Sequence, residues 1–209
     1  MRLLFAPIAT IAPVAPLARA RRFLFSATWA APLLVLGWGL VAGCDNNDLP
    51  AASLENFEDT ATVSALVGTP LLEPSAFSVA DRQTIRTDQS SSFDFAYNVD
   101  AIGRSVFLSR AVLGLGSSTG ADPGFLKTST PFDGITKAQQ NGYITDDTVS
   151  VAEGERYYVR SRITCGIGVP LYGKIEILDV DTALRQVTFR YLINGNCGYR
   201  SLEPGIPQE

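Results

Sequence analysis

Phe93-Asp94-Phe95-Ala96-Tyr97-Asn98-Val99 alternates large apolar side chains with small or polar ones. A period of two puts successive side chains on opposite faces of an extended chain, so the stretch predicts a half-buried β-strand with Phe93, Phe95, Tyr97 and Val99 on one face. The same period recurs outward from it. Arg104–Leu108 and Ala111–Leu115 read as short strands, broken by the Gly- and Ser-rich run 116–124. Thr148–Ala152, Arg156–Ile163, Leu171–Leu178 and Arg185–Ile193 read as further strands. In the second of these, Tyr158, Arg160 and Arg162 share one face, and Tyr157, Val159, Ser161 and Ile163 the other. Lys174 and Glu176 alternate with Ile175 and Ile177, and Asp179–Leu184 joins that strand to the next as a hairpin. Phe132–Asn141 alone reads as helical: Asp133 can cap it, Ile135 and Ala138 fall on one side, and Gly142 can stop it. Six to nine short strands and one short helix predict an all-β domain, an antiparallel sandwich or barrel-like fold, over residues 61–209.

The 209 residues include three cysteines and no histidine. That removes Ser-His-Asp and Cys-His catalysis and His-bearing zinc sites, and no catalytic set is expected. Charge is unevenly spread. Residues 1–43 hold four arginines, no acidic residue, both tryptophans and the only methionine; from Cys44 onward 13 basic and 21 acidic residues give a formal charge of −8. An acidic body argues against nucleic acid and against an anionic membrane surface as its partner, since both require clustered Lys and Arg.

The first 43 residues read as an address. Arg19, Arg21 and Arg22 precede an uncharged apolar run, Phe23 to Gly43, that ends Val41-Ala42-Gly43-Cys44. A basic start, an apolar middle and small residues before the cut make a cleaved export signal. The last four residues resemble a bacterial lipobox, which would make Cys44 the lipidated N-terminus, anchored in a membrane through its acyl chains. A plain transmembrane anchor is the alternative, because about 20 apolar residues can span a bilayer. Arg21-Arg22 also fits a twin-arginine export signal, and Asp45 fits an inner-membrane retention signal. Residues 44–60 are acidic and polar, and read as a tether to the β domain.

Cys165 and Cys197 then form an even pair in an oxidising compartment, which predicts a disulfide. A redox or metal role would need a C-x-x-C or further soft ligands, and the sequence has neither. Asp88-Gln89-Ser90-Ser91-Ser92 matches an adhesion-type metal loop but follows a polar stretch and reads as a turn. Asp146-Asp147 and Asp179/Asp181 also fall in turns, where Asp serves the backbone. Asn194 to Gly205 is dense in Asn and Gly around Cys197 and predicts a pinned loop.

From Phe93 onward the order of features resembles the HmuY family of haem-capturing bacterial lipoproteins. The resemblance is carried by Phe93-Asp94-Phe95-Ala96-Tyr97, the Gly/Ser-rich run 114–124, Phe132, Ile135 and Gly142-Tyr143. It continues with Tyr172-Gly173-Lys174-Ile175-Glu176-Ile177 and Phe189-Arg190-Tyr191. It covers about 100 residues and implies an all-β, envelope-anchored ligand binder. Haem is the cofactor it suggests, yet the His or Met ligands of the family are missing from this body, leaving tyrosine phenolates. The ligand-binding candidates are therefore Tyr143, Tyr158, Arg160, Arg162 and Lys174, suited to a hydrophobic or anionic small molecule. A structural or assembly lipoprotein docking an envelope protein is the competing expectation.

Overall fold

A computed structural model describes residues 49–116 and 122–207 of the chain. Cys44 and the proposed address segment lie outside the described residues. Ten strands make two antiparallel sheets. In chain order these are β1 (Phe57–Ser64), β2 (Ala76–Ser78), β3 (Gln83–Ile85), β4 (Phe95–Val99) and β5 (Ser105–Ser109). β6 (Gly124–Thr128), β7 (Thr148–Ser150), β8 (Arg156–Arg160), β9 (Tyr172–Asp181) and β10 (Gln186–Asn194) follow. One sheet has the order β1-β10-β9-β8-β6 and the other β3-β2-β4-β5-β7. The two pack face to face as a sandwich, as the alternating pattern predicts.

Alternation decides which side chains enter the space between the sheets. Val187, Phe189, Tyr191 and Ile193 of β10, Ile175 and Ile177 of β9, and Tyr157 and Val159 of β8 meet Phe77, Phe95, Tyr97 and Phe107 of the facing sheet. The seam is aromatic: Phe107 stacks on Phe125 at 5.2 Å, Phe77 meets Tyr191 at 4.9 Å, and Phe95 meets Phe125 at 4.9 Å. Offset and edge contacts of this kind add about 0.5–1.5 kcal/mol each beyond area burial.

Four expectations are corrected. Phe93 does not share the buried face of Phe95 and Tyr97; it packs with Ala76 and Ala96 on the opposite face. The reason is Asp94, whose buried carboxylate accepts the backbone N–H groups of Val79, Ala80 and Arg162, so the regular strand starts only at Phe95. Ala111–Leu115 is a turn closed by Leu115 N–H to Arg110 O, with Arg110 Nε returning to Leu115 O. Phe132–Asn141 forms no α-helix, only a 3-10 turn at Phe132–Gly134. Its backbone groups are used elsewhere: Ala138 N–H donates to Arg200 O, Thr136 O accepts from Leu202 N–H, and Phe132 O and Ile135 O accept from Lys174 Nζ. Lastly, β1 begins at Phe57, inside the expected tether. Ordered contacts start earlier still, with Ser53 and Leu54 N–H on Asn196 Oδ1.

The connections divide between two ends of the sandwich. At one, here the hairpin end, lie the β1–β2 loop (65–75), the β4–β5 turn (100–104), the β7–β8 turn (151–155) and the β9–β10 turn (182–185). At the other, the disulfide end, the loops 161–171 and 195–207 meet the incoming chain at 49–56. Cys165 and Cys197 are bonded there, across 32 residues, as their pairing in the sequence predicts.

Candidate binding site

The outer face of the larger sheet carries most of the expected ligand residues, because Tyr158, Arg160, Tyr172, Lys174 and Leu192 point away from the main core. The segment after β6 and the C-terminal run fold over them, and Phe132, Ile135, Ala138 and Leu202 complete a second apolar cluster. Lys174 lies beneath this cover at 3% exposure, with its Nζ donating at 2.9 Å to both Phe132 O and Ile135 O and lying 4.6 Å from the Phe132 ring. Burial holds its pKa below the ordinary lysine value, against the pull of Glu58 and Asp133. A cavity of about 120 Å³ beside it is lined by Glu58, Asp133, Thr136, Leu192 and Glu203 among others.

Tyr143 is brought to the same face. Its hydroxyl donates to Gln139 O at 2.8 Å, its ring stands 6.4 Å from that of Tyr172, and the Arg160 guanidinium lies 5.0 Å from the ring centre. Burial, with Tyr172 adding to it, pushes its phenol well above the ordinary value. Arg160 Nε also donates to Asp122 O. Next to this pair a cavity of about 250 Å³ opens at the disulfide end, lined by Leu49, Gln140, Val169, Pro170, Tyr172, Gly198 and Arg200.

Arg162 does not join the other four. β8 ends at Arg160, and Arg162 turns to the second sheet, where its guanidinium meets Asp94 at 3.2 Å and Asp81 at 3.0 Å. Ser78 and Arg162 together hold the Asp81 carboxyl below its usual range. The adhesion-type pattern is likewise engaged locally, with Asp88 paired to Arg86 at 2.7 Å.

The hairpin end presents a different surface. Val67, Leu71, Leu72, Ile102 and Leu184 are 61, 76, 74, 75 and 63% exposed, on three neighbouring loops. These loops are tied to one another: Arg185 donates to Val67 O and Val99 O, Leu66 N–H to Tyr97 O, and Val67 N–H to Asn98 Oδ1. Glu73, Asp100, Asp179 and Asp181 stand around them. The sequence does carry a trace of this feature, in Leu66-Val67-Gly68-Thr69-Pro70-Leu71-Leu72-Glu73-Pro74, where apolar residues sit between turn-formers rather than in a period. Isolated exposed apolar residues are ordinary on a protein surface; here five stand on loops that hydrogen bonds tie to one another.

Compared with protein-family models, curated proteins and solved structures, the chain matches none. Fold and surface define the class without them: a two-sheet, disulfide-stapled β sandwich with a covered outer face and an apolar loop tip.

Proposed function

We propose that the chain is a lipid-anchored protein of the bacterial envelope that acts by binding rather than catalysis, its hairpin end docking a protein partner. The observation that carries the reading is the set Val67, Leu71, Leu72, Ile102 and Leu184, held in solvent by the Arg185 ties. Five Cα–Cα steps separate Cys44 from Leu49, which packs at the opposite end near Gly198 and Val169. Extended, they span at most about 18 Å, whereas β1 alone runs roughly 23 Å between the ends. Acylated at Cys44, the molecule would thus present the hairpin end away from the lipid. The acidic rim fits a partner with an apolar depression edged by Lys or Arg.

The haem-capturing reading has less support. Lys174 and Tyr143 spend their polar groups on backbone carbonyls. Photo-crosslinking groups placed at Leu72, Ile102 and the sheet-face control Thr62 test the docking surface in intact cells. A discrete protein adduct from Leu72 and Ile102, lost in L71D/L184D, is expected. Equal labelling at Thr62 would refute the site. A Soret shift on adding micromolar haem would restore the ligand reading. C44A is expected to leave the protein in the soluble envelope fraction.

A further inference from the structure

We propose that the disulfide end is a membrane-seating surface, resting on phospholipid headgroups beside the acyl anchor; this rests on the lipid-anchored reading above. The body is acidic as a whole, but the fold sorts its charges. Arg82, Arg110, Arg160, Arg162 and Arg200 gather at the disulfide end against Glu55, Asp81, Asp94, Asp122 and Glu203, which leaves this end close to neutral. At the hairpin end Glu73, Asp100, Glu153, Glu155, Asp179 and Asp181 outnumber Arg104, Lys127 and Arg185. Of the two, the disulfide end is the one that a surface of phosphates does not repel.

Apolar side chains stand among those arginines. Ile163 and Ile167, on either side of Cys165, are 36 and 50% exposed, and Leu54 is 49% exposed. Ile206, next to the backbone pair of Asn56 N–H and Gly205 O, is also exposed. The disulfide fixes the loop that carries the two isoleucines, so their tips are presented without further ordering. The tether supplies the geometry. Leu49 is packed between the 161–171 and 195–207 loops, near Val169 and Gly198, and Cys44 is five residues away. About 18 Å of chain lets this end lie on the surface that holds the lipid and is too short to bring the hairpin end there.

From Cys44 on the chain has no tryptophan, so one can be added as a reporter in a W29F/W38F background. The full chain, isolated from bacterial membranes, is reconstituted in vesicles of equal parts phosphatidylcholine and phosphatidylglycerol. I167W is expected to emit to the blue and to be quenched several-fold by lipids brominated in the upper acyl chain, and L72W to stay unquenched. Intact mass of the same samples reports acylation at Cys44. Acylated protein in which I167W is quenched no more than L72W overturns the seating surface alone. Unmodified Cys44 overturns the anchor reading; the seat then stands only if I167W is still quenched when vesicles are added, and falls with it otherwise.

Discussion

Asp94 and Arg162, 68 residues apart in the chain, meet at 3.2 Å on the border between the two sheets. The carboxylate also accepts the N–H groups of Val79, Ala80 and Arg162, so one side chain closes three chain segments at the disulfide end. D94A strands those donors and leaves Arg162 with Ser78 Oγ and the half-exposed Asp81 carboxylate. Loss of one partner from a buried ion pair costs about 3–5 kcal/mol, and a fall of that size is expected in urea unfolding of the oxidised protein at neutral pH. A change below about 1 kcal/mol would show that water replaces the carboxylate.

The Cys165–Cys197 bond closes a loop of 32 residues. The chain-entropy model gives roughly 3–4 kcal/mol for a loop of that length. C165A/C197A is therefore expected to lower the unfolding midpoint while keeping the circular dichroism of the sandwich, since the aromatic seam lies away from the bond. Loss of the β signal would place the bond among the conditions for folding at all.

Lys174 gives a pH dependence. Its folded pKa is depressed by burial, so above that value the unfolded chain binds more protons than the folded one. Stability credited to Lys174 therefore rises with pH between the depressed value and the ordinary value near 10.4. Measured as the difference between the native chain and K174M, unfolding free energy is expected to grow from neutral pH toward pH ~10. K174M itself loses about 1–3 kcal/mol at neutral pH, because Phe132 O and Ile135 O lose their donor. A flat difference across that range would mean the ammonium is solvated.

These three sites mark where the sequence stops being legible. Strand positions follow from alternation, which is why β4, β7 and β8 fall within the stretches read as strands, while β5 and β10 overrun theirs by one residue and β9 runs three further, to Asp181, into the expected connector. Alternation is silent on β2 and β3, at three residues each, and on β1, whose Glu58-Asp59-Thr60 reads as linker because that half of the strand is exposed. The Phe132–Asn141 segment has a helical apolar spacing, yet Lys174 and the C-terminal run claim its carbonyls and amides. Such contacts join residues some 40 to 65 positions apart, and no local pattern records them. The candidate ligand face was half legible for the same reason. Period two correctly grouped Tyr158, Arg160 and Lys174, but which of them a later segment would cover was not written in their own strands, and Arg162 fell beyond the strand end.

Arg185 holds the hairpin end together and does so from a left-handed backbone, φ 56°. A non-glycine residue pays roughly 1 kcal/mol there, a cost offset in the native chain by bonds from its guanidinium to Val67 O and Val99 O. R185G and R185A both lose those bonds, but only R185A keeps the strain. R185G is expected to be the more stable of the two by about 1 kcal/mol, with both below the native chain. Equal stability would mean that the turn relaxes once the side chain is gone.

Gly124 faces a harder limit, one of space rather than of φ. A Cβ built there would stand 2.5 Å from Ile144 O and 2.9 Å from Thr145 Cγ2. The first of these is backbone, held by the exchange of bonds in which Phe125 N–H donates to Ile144 O and Ile144 N–H to Phe125 O. Neither chain can give way without breaking that bridge, which covers the free edge of β6. G124A is therefore expected to cost about 2–3 kcal/mol, the size of a severe overpacking defect. Hydrogen exchange should report faster exchange of the Phe125 and Ile144 amides, with the amides of β9 and β10 keeping their order of protection. A variant of native stability with both amides protected would show that the 143–145 strap can slide outward intact, and that the edge is guarded by something other than close backbone contact.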